Sequence, residues 1–148
     1  MYDCERDRVY ANIRAPAQIA VLDASSLRPV GAFDVPFAGP HGLALAGDRL
    51  FCAADDGKLV VLDRDEGRMI GSADLPGEPD VITHDGESGR LFIAVGDPGV
   101  VVVVDDSTLR VIETVETEGR AHTIAWNADN KTLYAFLPVT SRVMALAE

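Results

Sequence analysis

One phrase is repeated four times along the chain, and that repetition limits the fold more than any other feature. An aromatic residue stands near the start of a short run of strand type at Tyr10, Phe51, Phe92 and Tyr134, at nearly equal intervals. Each follows an aliphatic residue, at Val9, Leu50, Leu91 and Leu133. Further on, Asp23, Asp63 and Asp105 close a second apolar run; the fourth copy has Ala147 there instead. A fixed period of about 40 residues marks stacked supersecondary units, each needing its neighbours to bury a face.

Each period contains four short runs. The first reads "HGLALAG" from His41, "DVITHDG" from Asp80 and "HTIAWNA" from His122. The second carries the aromatic, and the third is Val-rich and ends in aspartate. The fourth reads "RPVGAFDV" from Arg28, "RMIGSADL" from Arg68 and "RVIETVET" from Arg110. Runs of this length, rich in β-branched and aromatic residues and bounded by Gly, Asp, Asn or Pro, are strands joined by turns. No segment holds a sustained helical apolar period, so almost no helix is expected.

The strands differ in kind. "KLVVLD" and "VVVVVD" are apolar on both faces and need cover on both sides. The fourth strand alternates, with Met69, Gly71, Ala73 and Leu75 on one face, as an outer strand would. Two doubly buried middle strands flanked by an apolar inner and a more polar outer strand describe a β-propeller blade. The expected fold is all-β, a partial β-propeller of about 3.5 four-stranded antiparallel blades. As a single segment over residues 1–148, it divides into 1–36, 37–77, 78–118 and 119–148, the first and last incomplete. Phe51 and Phe92 belong between neighbouring blades.

The phrases "PHGLALAGDRLFCAADDGKLVVLDRDEGRMIGSADLPG" from Pro40 and "PDVITHDGESGRLFIAVGDPGVVVVVDDSTLRVIETV" from Pro79 resemble the YVTN-type β-propeller repeat, and the likeness runs over essentially the whole chain. That family includes surface-layer and exported proteins and domains beside lactonase-like enzymes. The resemblance implies a propeller and says little about chemistry.

The ends of the chain pose a separate question. The sequence pattern shows three, four, four and three strands in the successive copies. One reading is the C-terminal half of a propeller of about seven blades, with missing N-terminal blades closing it. The other is a half-propeller closed by self-association, where the two incomplete copies would bring six strands to a place needing four. The N-terminus "MYDCERDRVY" has no apolar leader core. That fits the cytoplasm if Met1 is the true start, and a longer parent could be exported.

Composition excludes some partners. A net charge of −11, with 13 basic residues scattered among 24 acidic ones, argues against nucleic acid and anionic membranes. No apolar run approaches the roughly 20 residues of a membrane-spanning helix. Cys4 and Cys52 lack metal-ligand or CxxC spacing, and Cys52 reads as a small core hydrophobe.

The position just before each inner strand stands at the mouth of a propeller channel. It is held by His41, Asp80 and His122, with Arg120 and Glu78 nearby. These three are metal-ligand types, and Arg120 suits an anionic group. The leading expectation is a channel face binding a protein or small ligand. The alternative is a lactonase-like hydrolase or isomerase in which a divalent metal on His41, Asp80 and His122 activates water. Sheets packed about 10 Å apart would set His41 and His122 too far from each other for one metal to take all three. His84 reads as an exposed turn residue at the other end of its blade. Asp55–Asp56 and Asp105–Asp106 read as turn residues, and Trp126 reads first as core and second as a channel wall on which a ligand could stack. No nucleophile motif or phosphate loop is present.

Overall fold

The structure is a computed structural model and describes residues 1–147. It holds fifteen strands and no helix among the described residues. The first sheet is β1 (Tyr2–Asp3), β2 (Arg8–Ile13), β3 (Gln18–Asp23) and β4 (Pro29–Asp34). The second is β5 (Pro40–Ala46), β6 (Arg49–Ala54), β7 (Lys58–Asp63) and β8 (Met69–Asp74). The third is β9 (Pro79–Asp85), β10 (Arg90–Val95), β11 (Val100–Asp105) and β12 (Val111–Glu116). The last is three-stranded: β13 (Ile124–Asn127), β14 (Thr132–Leu137) and β15 (Arg142–Ala147). Each sheet is an antiparallel meander in chain order, so four blades follow one another as the sequence repeat requires.

The repeat also reaches the irregularities. The third-to-fourth strand pairing shifts register at Val21/Leu22, Val61/Leu62 and Val103/Val104, one place in each four-stranded blade. The closing aspartates hold the turns that follow. Asp23 Oδ1 accepts from the Ser26 amide at 2.8 Å, Asp63 Oδ1 from Glu66 at 2.7 Å, and Asp105 Oδ1 from Thr108 at 2.8 Å.

Three apolar clusters fill the three gaps between blades. Tyr10, Ile19 and Val21 meet Leu50, Cys52, Val60 and Leu62. Phe51, Leu59 and Val61 meet Leu91, Ile93, Val102 and Val104. Phe92, Val101 and Val103 meet Ile124, Leu133 and Ala135. In each case the aromatic of one blade packs against aliphatic side chains of the next. Phe51 and Phe92 are buried between blades, as the sequence predicts, at 0% and 5% exposure.

One feature differs from the strand pattern. The innermost position of the first blade is filled, by the two-residue strand β1. A strand that short leaves no alternation to read in sequence. Polar bonds fasten it in place: Tyr10 donates its amide to Met1 O at 2.8 Å, and buried Arg64 reaches Asp3 Oδ2 at 3.4 Å and Glu5 Oε2 at 2.8 Å. The two end blades are therefore separate sheets, with no strand position left for a partner to share in the first.

Candidate functional site

The turns between second and third strands, and the links that lead into each inner strand, lie at one end of the blades. The sequence places His41, Asp80 and His122 just before their inner strands. The structure puts His41 and Asp80 at the second residue of β5 and β9, and His122 just ahead of β13. They form a row across three blades. His41 Nε2 lies 3.4 Å from Asp80 Oδ1, and His122 Nδ1 lies 3.2 Å from Asp80 Oδ2. Asp80 thus presents one oxygen to each histidine.

The row closes up because inner strands converge more tightly than sheets in general. Gly42 allows this. A Cβ there would overlap the backbone oxygen of Asp80 and sit 3.0 Å from the Ile82 amide nitrogen. Only a bare Cα lets β5 run this close to β9. On the other side, Asn12 Nδ2 donates to His41 O at 2.6 Å and to Gly42 O at 3.2 Å, fastening β5 to the first blade.

Two members of the site are not evident from sequence. Asp55 reads as half of an acidic turn pair, yet its Oδ1 lies 3.3 Å from His41 Nδ1, and its Oδ2 forms an ion pair with Arg14. Its neighbour Asp56 keeps the turn role and accepts from the Ala38 amide at 2.7 Å. Arg14 and Asp55 stand one full repeat apart, in the same register as Tyr10 and Phe51, and that register was the available signal. The row therefore runs Arg14, Asp55, His41, Asp80, His122. An ionised carboxylate only accepts, so His41 bonds both neighbours at once only when both its ring nitrogens carry hydrogen.

These side chains line a pocket of about 280 Å³, together with Glu78, Asp97 and Arg120. Arg120 has a left-handed backbone, φ 69°, and its amide donates to Gly96 O at 2.6 Å. The three residues of the candidate metal set are joined through Asp80, which contacts each histidine with a different oxygen. Among the described residues no group of three or more His, Cys, Asp or Glu converges on one point that could hold a metal ion.

His84 differs from its expected role. It lies inside β9, its side chain is 14% exposed, and its Nε2 sits 2.8 Å from Asp106 Oδ2. Asp106 also takes Arg49 from the second blade at 3.0 Å. A half-buried partner from the third-to-fourth turn, invisible in linear sequence, draws the imidazole inward at the end away from the pocket. Asp105 remains the turn residue, as expected. Trp126 is half-buried and stacks on Phe92, with ring centroids 4.8 Å apart, in the third gap between blades. It is not among the residues lining the pocket at the rim.

No protein-family model matches the chain, and no curated protein matches it. Among solved structures it is similar to hydrazine synthase of Kuenenia stuttgartiensis, a β-propeller-containing protein, with a TM-score of 0.81 and 15% identity. The fold is a partial β-propeller. The match covers 96% of this chain and 47% of that one, so the chain spans about half the length of its structural neighbour. At that identity the likeness concerns architecture alone.

Proposed function

We propose that this chain is a binding scaffold of the YVTN-repeat type, engaging a polar small ligand or the tip of a protein loop at its inner rim. The observation that carries the reading is Asp80 between His41 and His122, three equivalent places on three blades held within contact of one another. Equivalent positions that carry interacting polar side chains behave as one surface. Size supports a small occupant, because about 280 Å³ falls just below the usual range for drug-sized ligand sites. Charge supports a polar one. Arg14 and Arg120 donate, Glu78 and Asp97 accept, and the row between them can do both. Side chains that bond one another in sequence support recognition ahead of metal-assisted hydrolysis, which requires ligands converging on one ion.

Histidine ring NMR tests this with two simple probes, Zn²⁺ alone and inorganic phosphate alone. The expected result is that at least one of them shifts His41 and His122 together and leaves His84 unmoved. Asp80→Asn should weaken that joint response, since the aspartate couples the two rings. Weak, equal shifts at all three histidines would mean ordinary surface binding and would end the rim assignment.

A further inference from the structure

The two end blades each present one uncovered apolar face, and the repeat specifies what fits each. In every gap already filled, an aromatic-bearing face meets an aliphatic face of the next blade. The fourth blade carries Tyr134 at the aromatic place, with Phe136, Val143 and Ala145 beside it in the sheet. None of these four belongs to the cluster that faces the third blade. Phe136 is 46% exposed and Val143 63%. At the other end the first blade presents Val9, Ala11, Ala20 and Leu22, the counterparts of side chains that receive an aromatic in blades two to four. These are only partly covered, and none belongs to the cluster that faces the second blade.

We propose that two copies of this chain close into one ring, the aromatic face of each fourth blade seated on the aliphatic face of the other copy's first blade. Three observations select a second copy as the occupant. The two free faces repeat the two halves of an interface this chain already builds three times. The four blades form an open array, with no apolar cluster joining the first to the fourth among the described residues. Closed propellers have about 4–8 blades. Two copies supply eight, whereas three would supply twelve, beyond that range. Because β1 completes the first blade, the copies meet face to face without sharing strands. Contacts between unlike patches form a closed ring when the rotation between copies closes.

Sedimentation of the full chain at micromolar concentration tests the ring. The expected species has twice the 15.8 kDa chain mass. Phe136→Glu and Ala20→Glu alter opposite ends, and each alone should shift the chain to monomer with its β-sheet circular dichroism retained. Both sites lie outside the existing gaps, so folding survives, and the circular dichroism signal verifies it. A stable monomer of unaltered chain would overturn the proposal. So would a dimer broken by Phe136→Glu but untouched by Ala20→Glu, since that outcome means like faces pair. Open-ended growth beyond the dimer would overturn closure.

Discussion

β7 and β15 hold the same place in their sheets and are equally apolar, "KLVVLD" against "RVMALA". In β7 the four central residues are buried. In β15 most residues are exposed, with Met144 and Leu146 half-buried, because the third blade covers one side, no described residue covers the other, and no described fourth strand lies along its edge. Their sequences match while their surroundings do not. A strand's composition therefore reports the cover that its place in the repeat requires, and the structure reports the cover it has. The same contrast separates Phe51, fully buried between two blades, from Tyr134, at the same register on an open face.

That contrast breaks most directly by truncation. Phe51→Ala should cost about 3–5 kcal/mol, the range for a large aromatic lost from a packed gap. Tyr134→Ala, measured in the Phe136→Glu background so that the face stays open, should cost about 1 kcal/mol for its partial burial. Urea unfolding of both reads the difference. Equal losses would mean that the fourth blade is covered in the folded chain, and the distinction between inner and end blades would fall. Tyr10 belongs with Phe51 in this comparison. It faces the second blade, is 2% exposed and donates its hydroxyl to Arg64 O at 3.3 Å, so its place in the first blade does not weaken it.

The next contrast is between inner and outer strands. Gly42 abuts the Asp80 backbone, whereas Gly31 on β4 has nothing within 4 Å of where a Cβ would stand. Gly42→Ala should cost about 1–3 kcal/mol through forced separation of β5 and β9. It should also abolish any joint response of His41 and His122. Gly31→Ala should be neutral or slightly stabilising, because alanine loses less backbone freedom on folding. A Gly42→Ala chain with wild-type stability and unaltered histidine spectra would show that close approach does not assemble the row.

The fold was legible in the sequence because every blade repeats the same strand chemistry, and a period tolerates local ambiguity. β1 was not legible: two residues cannot show alternation, and its anchors are distant side chains such as Arg64. The rim was half legible. His41, Asp80 and His122 share a repeat position, and position alone brought them to one end. Their mutual contact depends on how closely the inner strands converge, a three-dimensional quantity held by Gly42 and Asn12. Asp55 was hidden because an acidic residue before Gly57 satisfies a turn preference equally well, and local sequence cannot say which of Asp55 and Asp56 makes the turn bond.

The two cysteines sharpen the contrast between covered and open surface. Cys4 is exposed, whereas Cys52 is fully buried in the first gap, and burial pushes its thiol up to about 12. A thiol reagent near pH 8 should label one cysteine per native chain quickly and reach the second only as the first gap opens. Labelling of both at similar rates would mean that the first and second blades separate easily, and the fully buried class would shrink to the second gap.

The smallest effect concerns the turns, which are exposed in every blade. Asp105 accepts from the hydroxyls and amides of Ser107 and Thr108, and these bonds, the Ser107 hydroxyl foremost, lower its carboxyl from an ordinary 3.8 to about 2. A carboxylate depressed in the folded state stabilises it fully above the unfolded value and loses that contribution as pH falls through the folded one. The window therefore lies between about pH 5 and pH 2. Because the group is open to solvent, screening keeps the contribution small. The urea midpoint of the unaltered chain should fall across this window slightly more than that of Asp105→Asn, which keeps an accepting oxygen but has no charge to lose. Parallel curves for the two would assign the acid response to other carboxylates and leave the Asp105 bonds as geometry without a charge contribution.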